Sequence, residues 1–322
     1  MGVRVPPRAP KWRAGNQEVV GSNPAGGTKA KSMEGILFAF GALLCWGFGD
    51  FFIQKSTRAI GIWKSLFFIG ISGIIVIFPF IFDQLGALLR EPRHLAILSL
   101  AGIVVLFTAL FEFESLRRGK LAIVEPVLGL ELPITIGLST LIWGELISLP
   151  QLLLSLTTFI GIILVITKHH THLHYHRRIN IERGIIFAGV GAIGMGLFNF
   201  LVGVGSQETS PLLTVWFTNI LLTLVCFIYI ARHKALHELA GDIRKNPIPI
   251  IGVSILDNLA WVAFAVSTTL IPIAIATTIS ESYIVITVLL GIFINKEKLR
   301  WHQYVGIVVT IASIIFLSGI SE

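Results

Sequence analysis

From Gly35 to Ser318 the chain alternates long apolar runs with short clusters of charge, proline and glycine. Taking those clusters as punctuation, the pattern predicts ten helices near 35–54, 63–82, 95–114, 121–142, 150–167, 184–205, 212–231, 247–268, 273–294 and 302–319. Most are long enough to cross about 30 Å of hydrocarbon as a helix. The expected fold class is an all-α polytopic membrane protein.

The two halves of the pattern resemble each other. "GILFAFGALLCWGFGDFF" (Gly35 to Phe52) aligns without gaps on "GIIFAGVGAIGMGLFNFL" (Gly184 to Leu201), and Asp50 falls opposite Asn199. Further along, a constant offset of 152 pairs Ala122 with Ala274, Thr135 with Thr287, Glu145 with Glu297 and Gln151 with Gln303. Five spans per half is an odd number, so the second half enters the membrane from the opposite side. The expectation is two inverted five-helix repeats, a plan used by many secondary transporters.

Composition agrees with the pattern. Apolar residues make up 54% and charged residues 13% of the chain, against roughly 25% charge in a soluble domain; mean hydropathy is +0.82. The lipid bilayer is therefore the first expected partner, and the plasma (inner) membrane the expected location of this multi-pass chain. Cys45 and Cys226 are single residues inside apolar runs and read as small packing residues.

The net charge of +7 misleads, because residues 1–32 carry six Lys and Arg against one Glu, a net +5. Only +2 (7 minus 5) remains for the rest, and no basic-aromatic pattern suited to nucleic acid appears. The words "VRVPPRAP" and "GSNPAGGTK" resemble out-of-frame translation of a tRNA gene. Residues 1–32 are read as a non-native or disordered extension, and translation is expected to start at Met33. The expected organisation is a first repeat at 33–168, a His/Arg-rich linker at 169–182 and a second repeat at 183–322. Among the loops, one alternate set holds all the Lys and Arg of residues 33–322 except Arg90 and Arg93. The positive-inside rule puts that set in the cytoplasm and both termini outside.

"CWGFGDFFIQK", the proline-bearing "LAIVEPVLGLELPITIGLSTLIWGE" and, in the second half, "IPIAIATTISESYIVITVLLGIFINKE" and "YVGIVVTIASIIFLSG" together resemble an EamA-type member of the drug/metabolite transporter superfamily. The resemblance runs from about 33 to 320. It implies a monomeric or homodimeric carrier of a small-molecule substrate, working by alternating access, often in exchange for protons or another solute. The chain departs from the family pattern in having Thr278 and Val285 where the first repeat has Pro126 and Pro133, in its His-rich loop, and in its expected outward termini.

Ionised carboxylates cost roughly 2.5–3.5 kcal/mol at the centre of a spanning helix, so each demands a reason. Desolvation disfavours the charged form, which lets such groups exchange protons during a transport cycle. Glu131 lies mid-span between Pro126 and Pro133, and Glu281 is central in the counterpart span. Asp257 and Asn258 lie one turn before Trp261, and Trp46 one turn before Asp50. Asp50, Glu131, Asp257, Asn258, Glu281, Asn199, Trp46 and Trp261 are the candidate substrate-pathway or coupling residues. Glu112 and Glu114 are read instead as partners of Arg117 and Arg118. Glu145 and Glu297 are read as interfacial groups near a helix terminus. An in-plane axis is expected to put Asp50 and Asn199 at opposite depths, so that Asp50 makes the cytoplasmic side pH-sensitive while Asn199 leaves the outer side indifferent.

In "KHHTHLHYHRR", His170, His172, His174 and His176 project to one side of an extended segment and suit a transition metal. The leading expectation is a secondary transporter of a small organic metabolite, with protons as candidate coupling ions and no cofactor. A divalent metal-ion carrier with a His-rich loop is the alternative within transport. A non-transporting receptor or assembly subunit is the alternative of another class. No H-E-x-x-H or G-x-S-x-G constellation marks an intramembrane enzyme.

Overall fold

The computed structural model describes residues 24–118, 127–166, 175–286 and 300–320. Among these, ten helices of eight or more residues follow in order. The first three are α1 (Pro24–Ile60), α2 (Ile62–Ile81) and α3 (Pro92–Arg118). α4 (Glu131–Leu141) and α5 (Leu149–Ile166) complete the first half. The second holds α6 (Tyr175–Glu208), α7 (Pro211–Arg232), α8 (Pro247–Leu270), α9 (Ile273–Ser280) and α10 (Trp301–Ile320). Seven helices are long and apolar enough to cross a membrane: those over 30–60, 62–88, 92–118, 186–208, 211–232, 247–270 and 301–320. The apolar helices over 149–164 and 273–286 are shorter.

A helix satisfies its backbone groups internally, which hydrocarbon requires. Local chemistry sets the ends. α1 starts at Pro24, before the expected 35, and runs on to Ile60, where Gly61 adopts φ 84° and breaks the run. α7 and α8 open on prolines, where a missing N–H costs nothing. The Ser210 side chain also accepts a hydrogen bond from the Leu213 N–H.

The fourth and ninth spans, expected to be continuous, are both broken. The chain turns at Gly129–Leu130 and again at Glu281–Ser282, positions 152 residues apart. In the first break Pro133 offers no N–H to the Gly129 carbonyl, which instead accepts from Leu132 at 3.3 Å. In the second, the hydroxyls of Thr277, Thr278 and Ser282 each bond back to the carbonyl four residues earlier. Such back-bonding bends helices.

Helix packing repeats under exchange of the two halves. α1 packs most extensively on α8 and, reciprocally, α6 on α3. α2 packs on α7, α4 on α9 and α5 on α10, each helix meeting its own counterpart. The same exchange holds at atomic detail. A Cβ on Gly47 of α1 would lie 2.9 Å from the Ile286 Cβ, and one on Gly196 of α6 would lie 2.7 Å from the Ile134 Cβ. Bare glycine backbone is what lets the long helices pass the broken ones at this distance.

Large apolar side chains such as Val76, Phe80, Leu146, Ile193, Val308 and Phe316 are exposed on the outside of the bundle, where lipid rather than water suits them. At the Lys/Arg-rich end, Lys64 binds Glu238 at 2.5 Å and Asp242 at 2.7 Å. That ammonium holds the Glu238 carboxyl below its ordinary range. At the other end, Arg93 pairs with Glu208 at 3.0 Å. There Trp143 Nε1 donates to Gln207 Oε1 (2.8 Å), and Gln207 Nε2 donates to the Thr268 carbonyl (2.7 Å). Glu145, read as interfacial, reaches across the halves: its two carboxylate oxygens accept the N–H groups of Ile273 (2.7 Å) and Ala274 (3.2 Å), capping α9. Its counterpart Glu297 lies outside the described residues, as do Glu125, Pro126 and the whole of 167–174.

Candidate functional site

Eight of these helices, α1 to α4 and α6 to α9, or the residues at their breaks, surround one cavity of about 810 Å³, a volume that includes space open to solvent. Its lining respects the repeat. Trp46, Asp50 and Ile53 of α1 face it, and so do their counterparts Met195, Asn199 and Val202 of α6. The breaks in the fourth and ninth spans bring Glu131, Glu281 and Tyr283 to the same space.

Five carboxyl groups line the cavity: Asp50, Glu112, Glu131, Asp257 and Glu281. Among the described residues, no Lys, Arg or His lines it. Asp50 and Glu131 are each only 4% exposed, and Glu281 3%. Neutral donors hold some of them. Asn199 Nδ2 donates to Glu281 Oε1 at 3.1 Å, the Tyr283 hydroxyl to Asp50, and the Trp261 indole N–H to Asp257. Glu131 lies against Glu281. Aromatic faces form another wall: Trp261 meets Trp46 edge-on with ring centroids 5.0 Å apart, and Phe198 at 4.7 Å.

Acceptors outnumber donors here. Glu112 Oε2, Asn199 Oδ1 and Glu281 Oε2 are buried and receive no hydrogen bond. Leaving a buried polar atom unsatisfied is expensive, so each calls for a partner, whether water, a proton or a solute in the cavity.

Of the candidates named from the sequence, the fold brings together Asp50, Glu131, Asp257, Glu281, Asn199, Trp46 and Trp261. Asn258 is the exception. It points about 100° away from Asp257 around α8. There its Nδ2 donates to the Ile69 and Ser254 carbonyls at 2.9 and 2.8 Å, and its Oδ1 accepts from Asn219. Asn258 ties α8 to α2 and α7 and does not line the cavity. Asp50 and Asn199, expected at opposite depths, both face one cavity. One further reading is corrected. Glu112 does not pair with the arginines; Glu114 alone binds Arg117 and Arg118, while Glu112 faces inward.

Glu112 and Asn219, intramembrane polar residues not assigned to the pathway, also line the cavity, and Tyr283 was missed. The signal for Glu112 was helical phase, since Val105, Ala109, Glu112 and Phe113 recur at the spacing of one helix face. His170, His172 and His174 lie outside the described residues, as does the side chain of His176. Among the described residues, no group of three or more His, Cys, Asp or Glu is placed to hold a metal ion.

A two-fold packing of helices around an acidic cavity fits a carrier, and the sequence comparisons identify which kind. The model of the EamA-like transporter family matches residues 33–167 and again 182–319. The chain belongs to the EamA-like transporter family. It is a multi-pass membrane protein whose two halves each carry one EamA unit. The fold of this EamA-like chain is similar to a solved structure titled only "Crystal structure of protein", with a TM-score of 0.66 at 13% identity. That similarity covers 89% of this chain and 97% of the other. No curated protein sequence matches the chain.

Proposed function

We propose that this EamA-like protein is a secondary transporter of a small organic metabolite. It works by alternating access, with ten spans arranged as two inverted five-helix repeats in the plasma membrane. The 33–168 and 183–322 segments are its two repeats, and the Lys/Arg-rich loops between spans face the cytoplasm. The observation that carries this reading is the shared cavity. Counterpart residues of both halves line it, it lies at both helix breaks, and it gathers five carboxyl groups with no cationic side chain among its described lining.

Broken spans at repeat-related positions are where transporters of this kind bind solute, because the interrupted backbone is tolerated only beside a cavity. Asp50, Glu131, Asp257 and Glu281 are the proposed coupling groups. The groups facing them across the cavity are Glu112 and Tyr283, all of them able to carry a proton.

The test is counterflow in proteoliposomes. Glu131→Gln and Asp257→Asn are expected to abolish transport while membrane insertion and yield stay normal. Wild-type rates from both variants would sink the proposal.

A further inference from the structure

We infer that the cavity takes an N–H-bearing organic cation, a protonated amine, rather than an anion, a neutral solute or a quaternary ammonium. The inference rests on the reading of the cavity as the transport site and names the chemistry of its ligand.

Charge gives the first part. Among the described residues, five carboxyl groups face the space and no Lys, Arg or His does. An anionic solute would enter a low-dielectric site among like charges, which is strongly unfavourable. The second part comes from the atoms left without partners. Asn199 is 1% exposed and lines the cavity, and its Oδ1 receives no hydrogen bond. With Glu281 ionised, the Asn199 amide orientation is set, because Nδ2 donates to Glu281 Oε1 at 3.1 Å and a flip would put oxygen against oxygen. Glu281 Oε2 and Glu112 Oε2 are likewise buried and unpaired. The Asn199 oxygen can only accept, and so can the Glu112 and Glu281 oxygens once ionised, so the group that fits all three is a donor that carries the compensating charge.

An ammonium with N–H bonds satisfies them; a quaternary ammonium has the charge but donates nothing. The third part is the wall. Trp46, Phe198, Trp261 and Tyr283 offer aromatic faces, which attract organic cations. A metal ion instead requires several oxygen ligands converging on one point, and no such group occurs among the described residues. Carboxyl groups on α1, α3, α8 and both breaks are more than one ammonium can meet, so a diamine is the appropriate probe.

The experiment uses the purified full chain in detergent. Cadaverine, pentamethonium (the bis-trimethylammonium of the same carbon spacing) and glutarate are compared by thermal shift and calorimetry. Cadaverine is expected to bind saturably, with pentamethonium at least about ten-fold weaker for want of charge-assisted hydrogen bonds, and glutarate not at all. Asn199→Ala and the isosteric Glu281→Gln are expected to weaken cadaverine at least about ten-fold. Glu114→Gln, on the arginine side of α3, should bind as wild type.

Equal affinity for pentamethonium overturns the donor requirement, and binding of glutarate overturns the charge. Wild-type cadaverine affinity in both cavity variants overturns the site. If those variants do not fold, the three-ligand comparison on the wild-type protein still decides. Cadaverine that binds but never crosses in counterflow leaves the ligand class standing and removes the transporter reading. Counterflow of other solutes without cadaverine binding does the reverse.

Discussion

Glu112 and Glu114 stand two residues apart on α3 and do opposite things. Two steps of a helix turn the side chain by roughly 200°. Glu114 therefore reaches Arg117 and Arg118, while Glu112 faces the cavity with one oxygen unpaired. Glu112→Gln is expected to lower counterflow at least ten-fold while changing the melting temperature little, since the amide keeps the size and polarity of a carboxyl whose second oxygen has no partner. Glu114→Gln should keep counterflow within about two-fold of wild type and shift the melting temperature little, as ion pairs at a helix end with solvent-exposed arginines contribute little. Equal effects of the two substitutions would refute the division. Asp50, Glu131, Asp257 and Glu281 were legible in the sequence because a carboxylate inside an apolar run stands out. Glu112 was hidden because it sits near a charged helix end, and such positions usually reach the interface. Asp257 and Asn258 were adjacent letters of equal polarity; only helical phase separates the one in the cavity from the one that packs.

At the scale of the element, the broken spans organise the site. Pro133 was the visible sign of one break, though the span around it was drawn as continuous. The other had no such sign, because Thr277, Thr278 and Ser282 bend α9 by hydroxyl back-bonds that no single residue type announces. α9 is an eight-residue helix, too short to be stable by itself, and its first N–H groups depend on Glu145 from the other half. Glu145→Ala is expected to cost about 1–2 kcal/mol, the combined value of a lost cap and a lost charge at a helix N-terminus. Thermal denaturation in detergent measures this. Glu145→Gln, which keeps an acceptor, should recover part of the loss; an unchanged melting temperature in the alanine variant would show that the cap is idle.

Over the whole molecule, the repeat told which residues are equivalent but not which touch. A constant offset carries no information about contact, so the crossing of α1 with α8 and of α3 with α6 could not be read from it. That crossing means the largest interfaces lie between the halves rather than within them. Separate polypeptides 1–168 and 169–322, co-expressed, are expected to reassemble and restore counterflow. Each alone should be recovered aggregated or degraded. Monodisperse, thermally stable single halves on size-exclusion chromatography would contradict the interlocked packing.

The same crossing sets a clock on the chain's manufacture. α1 is complete at Ile60, but the helix that covers its inner face ends at Leu270. At roughly 5–20 residues per second, Asp50 waits on the order of ten to forty seconds for that cover to leave the ribosome. For that interval an acidic side chain stands in the newly inserted bundle without the helix it is built to face. The nascent first half is therefore the stage most exposed to membrane quality control, and slowing translation between the halves would lengthen that exposure.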